Sequence, residues 1–320
     1  MRRFHRVLPV AILLAAIGAC SDQPASSPPV VGIGKASATT FREADWAPPR
    51  ESDIPNDSMG ASIKRGLYLL RFTRDSLPAY ATSNLNCTSC HQDDGIRASS
   101  GPLTGSHARF PKYMPRSGTV IALADRVNYC FTRSLAGNAI PVESREMTDI
   151  LAYLAFLSKD IPIGTKIAGA DGLISMPDTL DGDLARGEAL YTTKTCITCH
   201  GADGAGNGPL PPLWGPKSYS IGASMSRLER AASFIKHNMP QTAPGSLSAQ
   251  EAFDLSAYIN SHPRPDSPGK ENDWPMGGAP ADVPYNTKGH DAFRPPTTIT
   301  RANPKGALVP NPPVISRVKP

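Results

Sequence analysis

The sequence predicts a mainly α-helical fold in which one helical unit occurs twice and is followed by a proline-rich C-terminal arm. Three observations predict it. The pattern Cys-x-x-Cys-His occurs at 87–91 and again at 196–200. Around both copies, apolar residues recur at the three- and four-residue spacing of amphipathic helices. The final stretch, 263–320, contains many prolines and no such period, which indicates an irregular segment.

Each Cys-x-x-Cys-His stretch has the attachment pattern of a c-type haem. One helical turn places two thiols where each can bond a vinyl group of the same porphyrin, and the next residue presents imidazole to the iron. We therefore predict two covalently bound haem c groups in two tandem cytochrome c-type helical domains. The attachment cysteines and the proximal histidines are Cys87, Cys90, Cys196, Cys199, His91 and His200. A shared zinc site is the weaker alternative, because each pair carries its own histidine.

The first twenty residues, 1–20, have the form of an export signal. Arginines precede an apolar run, 7–17, that is too short to span a bilayer as a permanent helix. The run ends in Ile-Gly-Ala-Cys at 17–20, which resembles a bacterial lipobox, so Cys20 is predicted to carry lipid. Ordinary cleavage, with Cys20 uninvolved, is the alternative. The signal predicts a periplasmic or other extracytoplasmic location, with membrane attachment only through the lipid anchor at Cys20.

Net charge and the number of cysteines reduce the range of possible partners and bonds. The net charge is only +5 and no run of lysine or arginine occurs, so no nucleic-acid partner is predicted. Of the six cysteines, one is assigned to lipid and four to haem. Cys130 alone remains, so the sequence predicts no disulfide and one free thiol.

The first cytochrome c domain is predicted over 51–162, after a flexible tether rich in serine and proline at 21–50. A helix is expected to begin after Asp57, before the first haem motif. A long loop follows, and then a helix over 120–134. Ser144 is expected to cap a further helix that ends at Leu157.

The second domain, 181–262, follows a linker at 163–180 and repeats the same plan. Its first helix opens with Arg186-Gly187, which matches Arg65-Gly66 in the first domain. Helices are predicted over 226–237 and from the Ser248 and Glu251 capping pair to Ser261. The closing helices repeat an aspartate and a tyrosine four residues apart. These pairs are Asp149 with Tyr153 and Asp254 with Tyr258.

Both haem irons need a sixth ligand or an open site. Met239 lies 39 residues after His200, and Cys130 lies 39 residues after His91. The repeat thus places the free thiol where the second unit has a methionine. The alternative ligands are Met225, Lys236 and His237 for the second haem, and His107 and Met114 for the first. A buried, inert thiol is the other interpretation of Cys130.

The neighbours of Cys130 suggest an anion site. On a helix Arg126, Cys130 and Ser134 share one face, and Arg116 lies in the loop before it. A nearby guanidinium favours the thiolate, and its fork matches the geometry of an oxyanion. Arg126 could instead be solvated or pair with a haem propionate. The same cluster has two weaker candidates, which are Arg133 and Lys112.

The segment 126–134, which contains Cys130, resembles the dihaem thiosulfate dehydrogenases that form tetrathionate. The same domain type occurs in the haem subunit of sulfur-oxidising cytochrome complexes. The resemblance extends over about 57–296 and includes Asp273-Trp274-Pro275 in the arm. It implies that Cys130 is both the distal ligand of the first haem and the sulfur that binds substrate.

The resemblance also implies roles for the neighbouring residues. Arg116 and Arg126 would hold the sulfonate end of thiosulfate, with Ser134 beside them. Met239 would be the distal ligand of the second haem and Lys236 its switching ligand, whereas His237 departs from the family pattern.

The leading hypothesis is therefore an enzyme that oxidises a small sulfur oxyanion, thiosulfate, to tetrathionate, with the reverse reaction using the same groups. Electrons would leave through the second, His/Met-ligated haem to a small cytochrome or another external acceptor. The alternative is a non-catalytic dihaem electron-transfer cytochrome that serves a separate dehydrogenase. A dihaem peroxidase ranks lowest, because the sequence offers no recognisable acid and base residues for it.

Overall fold

The structure is a computed structural model that describes residues 41–168, 170 and 172–288, with the backbone of Val314–Ile315. Several predicted features lie outside the described residues. They are the export signal, the lipid site at Cys20, the part of the tether before residue 41 and most of the arm after residue 288. The described residues belong to one compact unit. Among them, no helix has both the length and the apolar character needed to cross a membrane.

The described part of the chain is mainly helical, which confirms the predicted fold class. The helices are α1 (Ser58–Arg71), α2 (Thr73–Ser76), α3 (Gln92–Gly95), α4 (Ser106–Arg109), α5 (Leu123–Tyr129), α6 (Arg145–Phe156), α7 (Leu184–Thr193), α8 (Cys196–His200), α9 (Leu228–Asn238) and α10 (Ala249–Ser261). The strands are β1 (Lys112–Met114), β2 (Thr119–Ile121), β3 (Arg264–Pro265) and β4 (Val314–Ile315). Strand β1 pairs antiparallel with β2, and β3 pairs parallel with β4.

Helices α1 and α6 cross at Gly66. A Cβ atom added there would lie 2.0 Å from the carbonyl oxygen of Asp149 and 2.9 Å from Cβ of Tyr153, so the close approach of the two backbones requires glycine. The adjacent Arg65 donates from Nε and Nη2 to the buried Asp149 carboxylate at 2.8 and 2.9 Å. The Arg-Gly pair thus fixes the crossing by a backbone contact and a bidentate ion pair.

Helices α7 and α10 repeat this crossing in the second half of the fold. A Cβ atom at Gly187 would lie 2.1 Å from the carbonyl oxygen of Asp254 and 2.6 Å from Cβ of Tyr258. Arg186 donates from Nε and Nη2 to Asp254 at 2.8 and 3.0 Å. The sequence repeat of Arg-Gly with Asp and Tyr is therefore one packing arrangement that occurs twice.

We expect Gly66→Ala to lower the free energy of unfolding by about 2 kcal/mol. A Cβ atom 2.0 Å from a backbone oxygen places the overpacking cost near the upper end of about 1–3 kcal/mol, and the helix propensity of alanine offsets about 1 kcal/mol of it. Gly187→Ala should have a similar effect. Denaturant titration of the holoprotein by circular dichroism measures both. The control Lys64→Ala, exposed on α1, should change stability by less than about 0.5 kcal/mol. A Gly66→Ala protein as stable as the parent would contradict this role of glycine.

The segment that precedes Cys130 differs from the prediction. The predicted loop contains the β1–β2 hairpin, and the helix expected over 120–134 begins only at Leu123, because residues 119–121 belong to β2. The last five residues, Cys130–Ser134, form a π turn in which Leu135 N donates to Cys130 O at 2.8 Å. Single π turns are frequent at functional sites. In the second half, α9 likewise starts two residues late, after a 3-10 turn at Ser224–Ser226.

The two predicted domains share packing surfaces. Tyr219 and Ala223, from the predicted second domain, belong to the same buried cluster as Leu67, Phe131 and Leu154 of the first. Because buried residues of the two predicted domains pack together, the division into a linker at 163–180 and a second domain at 181–262 stays a prediction. The predicted helix caps are present. The hydroxyls of Ser144 and Ser248 accept hydrogen bonds from backbone N–H groups at the starts of α6 and α10.

The described part of the arm, 263–288, packs against both halves. Trp274, Val283 and Tyr285 form a small buried cluster with Ile221. Arg264 is fully buried, where Nη2 donates to the carbonyl oxygen of Ile259 at 2.8 Å. The arm is thus irregular, as predicted, yet it is held by specific buried contacts.

Candidate active site

A cavity of about 400 Å³ lies beside the first Cys-x-x-Cys-His motif. Cys87, Cys90 and His91 form one part of its wall, and Cys130 forms another. Most of the remaining wall is apolar and includes Leu85, Leu103, Phe131, Ile150, Leu154 and Met225. An apolar cleft with two thiols and an imidazole is the environment that a covalently bound porphyrin needs.

The proximal histidines are oriented by backbone carbonyls. His91 Nδ1 donates to the carbonyl oxygen of Gly101 at 2.5 Å, and His200 Nδ1 donates to that of Pro211 at 2.9 Å. These bonds fix the tautomer and leave Nε2 of each ring as the atom that can bind iron. Sequence reasoning missed both acceptors. The sequence holds a partial signal, because Gly-Pro-Leu follows each motif: Gly101 begins the first copy, at 101–103, and Pro211 directly follows the second, at 208–210.

Cys130 lies next to a guanidinium in this cavity. Arg126 Nη1 donates to Cys130 Sγ at 3.2 Å. Burial raises the pKa of the Cys130 thiol, but the charge of Arg126 and the neighbouring His91 ring lower it by more, so that the pKa falls to about 6. This shift favours the thiolate, which is both the nucleophile and the iron-binding form.

The charged residues that line the cavity are cationic. They are Arg109, Lys112, Arg126 and Arg230, and none of the described lining residues is acidic. Burial lowers the pKa of Lys112, and the charges of Arg109 and Arg126 lower it further, which indicates that these cations are close together. Such a cavity attracts anions.

Polar groups of the cavity wall include two serines. The buried hydroxyl of Ser106 has no hydrogen-bond partner among the described residues, so it is available to a bound group. Ser134, predicted to lie beside the substrate, also lines the cavity. Of the alternative ligands for the first haem, Met114 lines the cavity, whereas His107 is exposed and does not.

The structure pairs Arg116 with residues of the arm, and its place beside Cys130 stays a prediction. It is not among the cavity-lining residues. Its Nε donates to Asp273 at 2.8 Å, and its Nη2 donates to the carbonyl oxygen of Gly222 and to Tyr285 Oη, both at 2.6 Å. Asp273 also accepts from Arg133. The aspartate of the arm thus holds both arginines, because its buried carboxylate requires cationic partners.

The second motif belongs to a separate buried cluster. Cys196 and Met239 both pack against this cluster, which contains Tyr191 and Phe253. Cys199 is exposed. Two thiols and the oriented imidazole of His200 again fit a haem c, and Met239 packs against the same cluster as Cys196. Across the described residues, no group of three or more His, Cys, Asp or Glu side chains has the geometry to hold a metal ion by itself.

The other predicted ligands of the second haem have protein partners. Lys236 Nζ donates to the carbonyl oxygens of Gly245 and Leu247 at 2.8 and 2.5 Å. His237 Nδ1 donates to the carbonyl oxygen of Ser233, one helical turn earlier, at 2.8 Å. Met225 lines the first cavity instead of the second site.

Comparison with known families agrees with this geometry. Residues 79–163 match the family model described as SoxA/TsdA, cytochrome c domain, and residues 184–263 match the cytochrome c model. The first match contains Cys87, Cys130 and the cavity-lining residues Arg109 and Arg126. The second contains the second haem motif and Met239.

Similar proteins with curated functions are thiosulfate dehydrogenases. That of Psychrobacter arcticus is 40% identical over 241 residues, which is 73% of each chain. That of Allochromatium vinosum is 37% identical over 274 residues, covering 82% of this chain and 95% of the relative. A solved structure, the thiosulfate dehydrogenase TsdBA from Marichromatium purpuratum, matches with a TM-score of 0.64 and 31% identity. The match covers 71% of this chain and 51% of that chain, so this chain spans about half of its length.

The chain therefore belongs to the thiosulfate dehydrogenase family of oxidoreductases and consists of two cytochrome c domains, each of which holds one covalently bound haem c.

Proposed function

We propose that this protein oxidises thiosulfate to tetrathionate at the first haem site and passes the electrons through the second haem to an external acceptor. The observation that carries the proposal is the 3.2 Å contact between Arg126 and Cys130 Sγ. It lies in a cavity whose described charged lining residues are all cationic. The family relationship supports the same substrate.

The reaction joins two dianions, so the protein has to offset their Coulomb repulsion. Two thiosulfate dianions give one tetrathionate dianion and two electrons. Repulsion between charges is strong in a partly dry cavity, and fixed cations there reduce it. Arg126, Lys112 and Arg230 line the cavity and supply that charge.

Cys130 would act as the nucleophile and carry one sulfur unit. Its thiolate forms an S–S bond with the sulfane sulfur of the first thiosulfate, and this step releases two electrons. The sulfane sulfur of the second thiosulfate then attacks that bound sulfur. Tetrathionate leaves and the Cys130 thiolate is restored, so atoms and charge balance. When bound, the haems supply the one-electron acceptors that carry the electrons away.

Arg126 would hold the substrate as well as the thiolate. It uses Nη1 for Cys130 Sγ, and its other guanidinium N–H groups have no acceptor among the described residues. A guanidinium has five N–H donors in a planar fork, so it can bind a sulfonate group while it stays beside the sulfur. Ser134 lines the same cavity and would supply a further donor.

We infer that Cys130 is the distal ligand of the first haem and that Met239 is that of the second. The packing of Met239 and Cys196 against the same buried cluster supports the assignment of Met239. Lys236 is a weaker candidate, because its ammonium group already donates to two carbonyl oxygens. The external acceptor would be a small cytochrome or a similar carrier.

An extracytoplasmic location is part of this proposal. The segment 1–20 has the form of an export signal, and Cys20 follows the small residues of a lipobox. Attachment to a membrane through lipid at Cys20 would be tested by mass spectrometry of the mature N-terminus. An unmodified cysteine there would contradict it.

The proposed activity is tested with oxidised holoprotein and thiosulfate. We expect thiosulfate to reduce the haems, and tetrathionate to form at one molecule per two thiosulfates when an electron acceptor is present. Haem absorbance and chromatography of the products follow the two events. A protein that thiosulfate fails to reduce, while it still exchanges electrons with other cytochromes, would instead be an electron carrier.

Lys112→Met is expected to raise the KM for thiosulfate by about tenfold, the lower end of the effects attributed to electrostatic attraction of substrates. The kcat should change little, since Lys112 lines the cavity wall without contacting Cys130 through any described hydrogen bond. Steady-state kinetics at low and high ionic strength measure the effect, which salt should reduce. Lys64→Met, at an exposed position outside the cavity, is the control. Equal KM values for the two variants would contradict this role of Lys112.

A further inference from the structure

Asn238 is the last residue of α9 and directly precedes Met239. Its side chain is fully buried. The amide Nδ2 donates to the carbonyl oxygen of Ser99 and to that of Phe234, both at 3.0 Å. Its Oδ1 accepts from the hydroxyl of Ser99 at 2.8 Å. Both ends of the amide are thus satisfied, and Ser99 takes two of the three bonds.

Ser99 belongs to the loop that orients the first proximal histidine. The hydroxyl of the next residue, Ser100, accepts from Gln92 N at 3.1 Å. One residue further, the carbonyl oxygen of Gly101 accepts from His91 Nδ1 at 2.5 Å. The loop therefore holds both the ring of His91 and the backbone that follows it.

The hydrogen bonds between Asn238 and Ser99 thus connect the residue beside Met239 with the loop that orients His91. We propose that the bridge between Asn238 and Ser99 is a positioning element that sets the placement of His91 and Met239 relative to each other and thereby the rate of electron transfer between the two haems. The proposal rests on the ligand assignments of the proposed function. It assigns Asn238 and Ser99 a role that neither motif predicts, since the two residues lie 139 positions apart.

Two physical properties support the proposal: the amide of Asn238 is buried, and the rate of electron transfer depends strongly on distance. A buried amide that loses its partners leaves polar groups unsatisfied, so the bridge has one strongly preferred geometry. Residues that orient a metal ligand through a hydrogen bond tune that ligand, and their loss costs about 10–100-fold in activity or affinity at metal sites. Electron transfer between two cofactors falls steeply with their separation. A small change in this bridge should therefore produce a large change in rate.

The test measures electron transfer between the haems after pulse radiolysis, which injects electrons without any sulfur substrate. We expect Asn238→Ala to slow this step by about tenfold or more, and Ser99→Ala, which removes only the hydroxyl bond, by a smaller factor. The double variant should be no slower than Asn238→Ala alone, because both changes break the same bridge. The charge-transfer absorption of ferric haem with methionine ligation should weaken in Asn238→Ala.

Lys217→Met is the matched control. Lys217 Nζ donates to the carbonyl oxygen of Thr82 at 3.2 Å, which also joins the two halves but lies in neither ligand loop. The rate of electron transfer between the haems in Lys217→Met should equal that of the parent. Rates within twofold of the parent for both bridge variants, with haem content unchanged, would overturn the proposal even if their stability fell.

Two further outcomes have a clear meaning. If Asn238→Ala does not fold, Ser99→Ala decides, and an unchanged rate in that variant overturns the proposal. Because no thiosulfate is used, a parent protein that proves inactive toward thiosulfate would sink the proposed function and leave this comparison of rates valid.

Discussion

Cys130→Ala is expected to lower thiosulfate turnover by at least about a thousandfold, since loss of a catalytic nucleophile removes most of the rate enhancement that it supports. Both haems should stay attached, because their attachment uses other cysteines. The effect is large because Cys130 Sγ is the sulfur that Arg126 contacts in the cationic cavity, where the substrate would bind. The measurement combines steady-state turnover with a haem stain and absorbance spectrum of the purified variant.

Met225→Leu is the matched control for that experiment. Met225 lines the same cavity and also contains sulfur, and a leucine of similar volume costs less than about 1.5 kcal/mol. Its turnover should stay within a few-fold of the parent. Full activity in Cys130→Ala, or equal losses in the two variants, would remove Cys130 from the chemistry.

Asp273→Ala is expected to lower the free energy of unfolding by about 3 kcal/mol, at the lower end of the cost of breaking a buried ion pair. Asp273 is 2% exposed, and its partners Arg116 and Arg133 are each 17% exposed. Without the carboxylate, two neighbouring cations would lie largely buried with no counter-charge. Denaturant titration of the holoprotein measures the change.

The same substitution should affect the active site, because Arg133 belongs to the π turn that contains Cys130. We expect turnover to fall together with stability, and Asp273→Asn, which keeps the shape of the side chain, to have an intermediate effect on both. Asp45→Ala is the control, since Asp45 pairs with Arg42 at an exposed site and such pairs contribute about 0–1 kcal/mol. Equal stability of Asp273→Ala and Asp45→Ala would contradict the anchoring role.

Local features of the fold could be predicted from the sequence. Helix caps such as Ser144 and Ser248 depend on neighbouring residues, and the structure has them where they were expected. The repeat of Arg-Gly with Asp and Tyr also predicted that the two halves share one arrangement. The reason for the glycine could not be predicted, because it depends on how closely two helices approach: a Cβ atom at Gly66 would lie 2.0 Å from a carbonyl oxygen of α6.

The β1–β2 hairpin could not be predicted in the same way. Its strands have three residues each, too few for a period to be recognised. The hairpin delays the start of α5, and the π turn that follows changes the helical geometry on which the shared face of Arg126, Cys130 and Ser134 was based. These residues still line one cavity, because the π turn keeps Cys130 and Ser134 on that side.

The placement of Arg116 depends on a distant part of the chain. Arginines near a thiol suggest an anion site, but the buried carboxylate that pairs with Arg116 lies 157 residues later, in the arm. No local pattern indicates that pairing. The bridge between Ser99 and Asn238 is of the same kind, since neither residue has a sequence feature that marks its partner.

Low-temperature electron paramagnetic resonance of the oxidised holoprotein tests the central assignment most directly. We predict two low-spin ferric signals, one of which has the narrow spread of g values that is typical of histidine and thiolate ligation and is lost in Cys130→Ala. Two signals that both lack this thiolate character, and that stay unchanged in Cys130→Ala, would contradict the account.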